Sequence, residues 1–232
     1  WLLDSQGLVH SGRAGLGGFK LAHAQPVERV SAWEVDDPSH ITLAEVVRHA
    51  RPTILVGTST TPGSFPEEIV RAMARYTPRP LIFPLSNPTS RCEAMPEDLL
   101  RWTDGAAMVA TGSPFDDVEL DGQRYVIGQC NNAYIFPGVG LGLLASGARH
   151  VTDGMFVAAA RALSEFAPVR RQPTASLYPP LTQIRAVSRA VALAVASEAQ
   201  RAGLAEATTE EVVAARVDRL VWDPHYPRLV PA

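Results

Sequence analysis

The chain has 232 residues, of which 46% are hydrophobic and 19% are charged, as in ordinary globular proteins. Its formal net charge of -3 argues against a nucleic-acid partner held by a basic surface. No apolar run approaches about 18 residues, so we expect no membrane-spanning helix. Its two cysteines, Cys92 and Cys130, form neither a metal pattern nor a disulfide framework, which favours reduced thiols in the cytoplasm.

The first two thirds of the chain alternate strand-like and helix-like segments. Near-continuous apolar runs predict strands at 1–9, 53–60, 80–88 and 106–115. Amphipathic spacing, with proline and acids at the helix starts, predicts helices at 41–52, 64–76 and 95–102. Strands that are apolar along their whole length are typical of a parallel sheet covered on both faces. We therefore predict an α/β fold with a doubly wound, mostly parallel sheet.

The last third of the chain changes to helices. Glycine-interrupted and amphipathic patterns predict them at 138–150, 152–166, 181–203 and 208–222. Thr152 is a suitable N-cap for the second of these helices, and Gly203 is a suitable stop for the third. We expect one sheet-based domain over 1–150 and a helical segment over 151–232 that packs on the same domain.

Ligands of parallel sheets bind beyond the carboxyl ends of the strands, and Asp4 ends the first apolar segment. An acid at the end of the second strand of a dinucleotide-binding fold accepts the hydroxyls of the adenosine ribose. The alternative is that Asp4 only starts a turn with Gly7. The glycine-rich fingerprint that would support the first interpretation is expected about 20 residues earlier, before Trp1.

Other stretches near this edge carry small, amide or cationic side chains. Thr58 and Ser59 lie in "GTSTTPGSF", where small residues let a cofactor pass close to the backbone, although many α/β turns look alike. The amide of Asn87, in "LSNPT", either bridges a cofactor ribose and a substrate hydroxyl or only caps an Asn-Pro turn. Lys20 is the only lysine beside 20 arginines. Its ammonium either compensates a 2′-phosphate on the ribose or is a solvated surface group.

Two adjacent asparagines, Asn131 and Asn132, precede the apolar stretch "AYIFPGVGLG". Buried amides are costly without partners. Each amide nitrogen can donate to one oxygen of a planar carboxylate without adding charge, so the pair suits a carboxylate ligand. A turn ahead of a buried helix explains the local pattern equally well.

A series of distinctive sequence blocks runs along the whole chain. In order they are "WLLDSQGLVHSGR", "RPTILVGTSTTPGSF", "RPLIFPLSNPTS", "WTDGAAMVATGSPFDDV", "GQCNNAYIFPG", "SLYPPL" and "WDPHYPRLV". The motifs "SNPTS", "TGSPFDDV" and "NNAYIFPG" are long, unusual and not generic to dinucleotide-binding folds. The chain resembles the nucleotide-binding half and the C-terminal helices of malic enzyme.

The resemblance implies a Rossmann-like NAD(P)-binding domain without its first strand and G-x-G-x-x-G. It implies hydride transfer from (S)-malate to NAD or NADP and loss of CO₂ to give pyruvate, with Mg²⁺ or Mn²⁺ polarising the C2 oxygen. The implied cofactor-binding residues are Asp4, Ser5, Lys20, Thr58, Ser59 and Asn87. The implied malate-binding residues are Asn87, Asn131 and Asn132. Ser5 with Lys20 resembles the NADP-preferring pattern, so NADP is the preferred expectation.

Several catalytic groups of the family have no counterpart in this sequence: the general-acid tyrosine, the general-base lysine and the acidic metal ligands. Asp36-Asp37 and Asp116-Asp117 match no metal-ligand motif of the family, and Lys20 matches the phosphate-recognition position. We therefore expect no catalytic residue and no metal ligand in this chain. We expect these groups upstream of Trp1 and the fragment alone to be inactive.

The expected partners are malate and pyruvate, the N-terminal half of the same enzyme, and further copies in a dimer or tetramer. We expect no nucleic acid, no membrane, and a cytoplasmic location. Two other functions stay open: a non-catalytic, truncated Rossmann-like module that serves as a scaffold or oligomerisation surface, and a dehydrogenase for a different hydroxy acid. The sequence upstream of Trp1 distinguishes the enzyme from the scaffold.

Overall fold

The structure is a computed structural model that describes residues 1–222. By its internal contacts the chain divides into two compact units, Trp1–Cys130 and Asn131–Ala232. Our expected domain boundary at residue 150 stays a prediction, because a division by contacts does not define domains.

Four parallel strands form the main sheet of the first unit, in the order β3–β4–β5–β8. They are Ile54–Gly57 (β3), Leu81–Pro84 (β4), Met108–Thr111 (β5) and Gly128–Gln129 (β8). Ile54 pairs with Leu81, and Leu81 pairs with Met108, so three strands end at the same edge. The predicted α/β fold with a parallel sheet is confirmed, and three of these strands lie inside predicted segments.

Three helices pack on one face of this sheet. They are Leu43–Ala50 (α3), Glu67–Tyr76 (α4) and Pro96–Trp102 (α5), each inside a predicted helical segment. Their apolar sides share one buried core with Leu55, Ile82 and Val109. Side chains alternate along a strand, so Ile54 and Val56 point to the opposite face. There they are 51% and 53% exposed.

The structure corrects the first predicted strand, 1–9. Leu3–Asp4 (β1) has only two residues and pairs antiparallel with Gly7–Leu8 (β2), outside the parallel sheet. Gly7 adopts a φ of +89°, and a Cβ there would lie 2.6 Å from the carbonyl oxygen of Ile41. This turn therefore requires glycine, because the chain bends back at once. Asp4 lies at a hairpin turn rather than at the end of a long parallel strand.

Besides β8, two α-helices and two strands of the first unit were not predicted from the sequence. They are the helices Gly18–His23 (α1) and Val27–Val30 (α2) and the antiparallel strands Val118–Leu120 (β6) and Gln123–Tyr125 (β7). Asp121 and Gly122 join the two strands with φ values of 50° and 75°. This is the backbone of a two-residue hairpin turn, for which Asp-Gly is a favoured pair.

The second unit is helical, in agreement with the four predicted segments. Its main helices are Phe136–Ser146 (α6), Asp153–Ser164 (α7), Ile184–Arg201 (α8) and Glu210–Leu220 (α9). The backbone of α6 lies close to α8, since a Cβ at Gly142 would lie 2.6 Å from the carbonyl oxygen of Ala192. Residues 1–222 contain no helix of the length and apolarity that crossing a bilayer demands. The closing block "WDPHYPRLV" lies, beyond Trp222, outside the described residues.

Candidate functional site

Asp4 and Lys20, which the sequence analysis links, meet in the structure. The Lys20 ammonium lies 2.5 Å from Asp4 Oδ2. The Arg13 guanidinium binds both carboxylate oxygens, Nη1 to Oδ1 at 3.1 Å and Nη2 to Oδ2 at 3.1 Å. The backbone N–H of Gln6 adds a fourth bond, at 2.9 Å to Oδ1. A carboxylate offers about four lone-pair positions, so these donors use its full capacity.

Arg13 is a residue of this site that sequence reasoning missed. Its side chain is only 8% exposed, and Nη1 also donates to the carbonyl oxygens of Gly7 and Leu8, each at 3.1 Å. The guanidinium therefore fixes the hairpin backbone and the orientation of the Asp4 carboxylate at the same time. No sequence motif around Arg13 predicts this role, because the hairpin fold brings its partners together and no regular sequence spacing does.

Electrostatics keep Asp4 ionised. The hydrogen bonds of Arg13 hold the pKa of Asp4 well below its usual range, although burial acts the other way, and Lys20 and the Gln6 amide add to the lowering. With one carboxylate against two cations, the cluster carries a net positive charge. Ser5, the next predicted residue, is exposed in the adjoining turn.

A cavity of about 370 Å³ lies against the two cations, near the lower end of the size range of ligand pockets. Its lining includes Gln6, Arg13, Gly15, Gly17, Phe19 and Lys20. A Cβ at Gly15 or Gly17 would meet nothing within 4 Å, so the loop backbone is open to a ligand. The cavity thus offers cations and accessible backbone, which suit a ribose or phosphate group.

The predicted loop after β3 is held by a buried acid. Ser59 donates to Glu93 Oε1 through its backbone N–H, at 2.7 Å, and through its hydroxyl, at 3.0 Å. Thr58, one residue earlier, is exposed. Glu93 was not predicted as a site residue, because "RCEAMPED" resembles an ordinary polar turn before a helix.

Asn87 lies where the sequence analysis expected it, just after β4, and is exposed. The hydroxyl of Ser113, which follows β5, donates to Asn87 Oδ1. The tails "LSNPT" and "TGSPF" therefore meet at the carboxyl edge of the sheet. With its oxygen bonded to Ser113, the Asn87 amide nitrogen is the group that can donate to a ligand.

Asn131 and Asn132 open the second unit. The side-chain oxygen of Asn131 accepts from the backbone N–H of Ala133 at 2.8 Å and caps the short 3-10 helix Asn132–Tyr134. Asn132 is exposed. The buried hydroxyl of Tyr134 anchors this turn by donating to the carbonyl oxygen of Pro179 at 2.5 Å. Asn131 thus has the local geometry of a turn ahead of a buried helix, and its amide nitrogen remains a possible donor.

The described part of the chain, residues 1–222, contains no group of three or more His, Cys, Asp or Glu side chains that could hold a metal ion. Asp117, in one of the acidic pairs, instead accepts from Arg124 Nε at 2.7 Å in the β6–β7 hairpin.

The sequence is similar over nearly its whole length to proteins named NAD-dependent malic enzyme. The chain is 50% identical over 225 residues to a protein of Sodalis glossinidius named NAD-dependent malic enzyme, an alignment that covers 97% of this chain and 40% of that protein. A protein of the same name from Edwardsiella ictaluri is 50% identical over 226 residues, with the same two coverages. The chain therefore spans about 40% of the length of these relatives.

Solved structures of malic enzymes have the same fold. The malic enzyme of Entamoeba histolytica superposes with a TM-score of 0.70 and 26% identity, covering 94% of this chain and 40% of that one. The malic enzyme of Pyrococcus horikoshii gives a TM-score of 0.59 and 29% identity, covering 77% and 37%. The protein-family model described as "Malic enzyme, NAD binding domain" matches residues 1–200 of this chain. This chain therefore belongs to the malic enzyme family, through its NAD-binding domain.

Proposed function

We propose that this chain is the dinucleotide-binding part of a malic enzyme that oxidises (S)-malate and releases CO₂ to give pyruvate. The observation that carries the proposal is the match of residues 1–200 to the NAD-binding domain of that family. Relatives that are 50% identical are named NAD-dependent malic enzymes. A bound nicotinamide supplies the hydride acceptor, and the protein binds and orients it.

The described residues fit a dinucleotide. In our proposal Asp4 and Ser5 receive the adenosine ribose beside the cavity at Arg13 and Lys20. Thr58 and Ser59 lie along the cofactor. Asn87 donates its amide nitrogen at the nicotinamide ribose and the substrate. In the second unit, Asn131 and Asn132 donate to the malate carboxylate through neutral amides.

The saturated Asp4 carboxylate limits how a ribose binds. Its oxygens already accept hydrogen bonds from Arg13, Lys20 and the Gln6 backbone amide. A ribose hydroxyl can therefore bind Asp4 only by replacing one of these donors. Lys20 is the replaceable one, because its side chain is 46% exposed while Arg13 is buried. We infer that Lys20 leaves Asp4 when a dinucleotide binds.

For the choice of dinucleotide we propose NAD, the cofactor in the names of the relatives. The NADP preference expected from Ser5 and Lys20 is the second candidate. It is favoured by the net positive charge of the cluster of Asp4, Arg13 and Lys20, because a released Lys20 ammonium would face a 2′-phosphate.

We propose that the catalytic acid and base and the Mg²⁺ or Mn²⁺ ion are held by other parts of the complete enzyme. This proposal is supported by residues 1–222, which contain no group of three or more His, Cys, Asp or Glu side chains that could hold a metal ion by themselves. The partners in this proposal are malate and pyruvate, the N-terminal half of the same enzyme, and a second copy or more of the chain. The low cysteine content, two in 232 residues, supports a reducing, cytoplasmic location. The net charge of -3 supports a protein without a nucleic-acid partner, and we also propose no membrane partner.

Calorimetric titration of the 232-residue chain with NAD, NADP and malate tests the proposal. We expect a dinucleotide to bind and Asp4→Asn to weaken it. Malate, dinucleotide and Mn²⁺ added to the chain alone are expected to give no reduced cofactor. Steady production by the pure chain would contradict the proposal that the catalytic groups lie elsewhere. The sequence upstream of Trp1 decides between this enzyme and the non-catalytic scaffold, because the scaffold would lack the catalytic tyrosine, lysine and acidic cluster there.

A further inference from the structure

Glu93 is a completely buried carboxylate whose side-chain hydrogen bonds come from neutral groups. Its exposure is 0%. Oε1 accepts from the Ser59 amide, at 2.7 Å, and from the Ser59 hydroxyl, at 3.0 Å. It also accepts from the Ser86 hydroxyl at 2.5 Å, while Oε2 accepts from the Ser86 amide at 3.3 Å. Burying a carboxylate away from water has a large desolvation cost unless hydrogen bonds satisfy its oxygens, so a buried acid of this kind needs an explanation.

The two serines belong to different strand ends. Ser59 follows β3, and Ser86 follows β4. The Ser86 hydroxyl also accepts from the backbone N–H of Thr60 at 2.9 Å, which closes the network between the two loops. One carboxylate therefore ties the loop of Thr58 and Ser59 to the loop that presents Asn87.

The surroundings of Glu93 are built around its side chain. A Cβ at Gly57 would lie 2.6 Å from the Glu93 carboxyl carbon, so the last residue of β3 must be glycine for the carboxylate to fit. The backbone of Glu93 is itself held, since its carbonyl oxygen accepts from Phe65 N–H at 3.2 Å. The Glu93 carboxylate is therefore held in one position between the two loops.

The acid also keeps its charge. Burial raises the pKa of Glu93, but the hydrogen bonds from Ser86 and Ser59 together hold it below its ordinary value. An ionised carboxylate only accepts, so it can satisfy all of these donors at once, whereas an amide cannot.

We propose that Glu93 is a positioning residue for the dinucleotide: without touching it, the carboxylate fixes the Ser59 and Asn87 loops in the conformation that receives the cofactor. This inference rests on the proposed function. It assigns a role to a buried residue that is hydrogen-bonded to both loops.

The test is calorimetric titration of the 232-residue chain with NAD at pH 7. Glu93→Gln keeps the size of the side chain but places an amide nitrogen against donors, so we expect NAD affinity to fall about tenfold or more. Glu97→Gln is the matched control, because Glu97 is an exposed glutamate of the next helix, and we expect a change of less than about twofold. Circular dichroism at the titration temperature confirms that each variant is folded.

A double-mutant cycle separates positioning from general stability. Ser86→Ala removes one donor, and the double variant with Glu93→Gln is expected to bind NAD no more weakly than Glu93→Gln alone. Should Glu93→Gln fail to fold, Ser86→Ala alone decides, with an expected loss of about threefold. Folded variants with lower Tm but wild-type NAD affinity would overturn the inference. If the wild-type chain alone does not bind NAD, the same variants are compared in the complete enzyme, and a complete wild-type enzyme that does not bind NAD would overturn the proposed function.

Discussion

The carboxylate of Asp4 ties a hairpin, a buried guanidinium and an exposed ammonium together, so it has a structural role besides its proposed one. Its pKa in the folded chain lies below the unfolded value of about 3.9. Its contribution to stability is therefore fully present above about pH 4 and is lost as the pH falls below that value. We expect Asp4→Asn to lower the free energy of unfolding by about 1.5–3 kcal/mol at pH 7. Urea titrations should show this difference shrinking at pH 3, and a difference independent of pH would contradict the assignment.

Lys20 gives the sharpest test of cofactor choice at the residue scale. Lys20→Gln removes the ammonium that would meet a 2′-phosphate, a charged hydrogen bond of about 1.5–3 kcal/mol. We expect NADP affinity to fall by that amount while NAD affinity changes little, as measured by calorimetry. Arg75→Gln, an exposed cation of α4, is the control. Equal losses for both dinucleotides would make the phosphate assignment of Lys20 wrong.

At the residue scale, the sequence predicts side chains whose chemistry suits a ligand. It does not predict the side chains that hold those residues in position. Asn87 lies at the sheet edge, as its position after a strand suggested. Asp4 and Lys20 also meet, but at a hairpin outside the parallel sheet. Arg13 and Glu93 were missed because their partners lie on other segments, up to 34 residues away for Glu93. Only the three-dimensional packing identifies such partners.

Among the elements, helix α3 has the most complete start. Thr42 and Glu45 form a capping box, and the buried Glu45 carboxylate also accepts from the Thr42 hydroxyl at 2.6 Å. We expect Thr42→Ala to cost about 1–2 kcal/mol of stability. Thr152→Ala is the matched control, because the N-cap Thr152 of α7 makes no side-chain capping bond, and it should cost about 0.5 kcal/mol or less. Equal shifts of the urea midpoint would count against the capping box.

Two glycines of α6 are expected to respond oppositely to alanine. A Cβ at Gly142 would lie 2.6 Å from the Ala192 carbonyl oxygen and 2.9 Å from the Val195 Cβ, so α6 and α8 would have to separate. We expect Gly142→Ala to destabilise by about 1–3 kcal/mol. Gly140 has open space, so Gly140→Ala should stabilise the helix by about 0.5–1 kcal/mol. Thermal unfolding followed by circular dichroism measures both, and a stabilising Gly142→Ala would contradict the close packing.

Long periodic elements were predictable, and short ones were not. The helices α3, α4, α5, α7, α8 and α9 fall in their predicted segments, because a repeated apolar face is a strong pattern. The hairpin of β6 and β7 has three-residue strands, too short for alternation to stand out, although Asp121-Gly122 was an available turn signal. The strand of Asp4 was predicted too long because Gly7 turns the chain back.

At the scale of the whole molecule, β3 is an edge strand with exposed apolar side chains. Ile54 and Val56 are each about half exposed, and edge strands of this kind pair with other chains. We expect the 232-residue chain to self-associate as its concentration rises, and Val56→Lys to reduce this in sedimentation velocity. Val157→Lys is the control, since Val157 is 49% exposed on a helix. Equal effects of the two substitutions would exclude the strand edge as the cause.

The pairing of Lys20 with Asp4 has a practical consequence for chemical labelling. Lys20 carries the only side-chain amine of the sequence, since the other cations are arginines, which acylating reagents leave untouched. Its side chain is partly exposed, so a reagent can reach it in the folded chain. Apart from the chain terminus, one acylation reaction therefore attaches a fluorophore or cross-linker at a single known position, beside the acid proposed to hold the ribose.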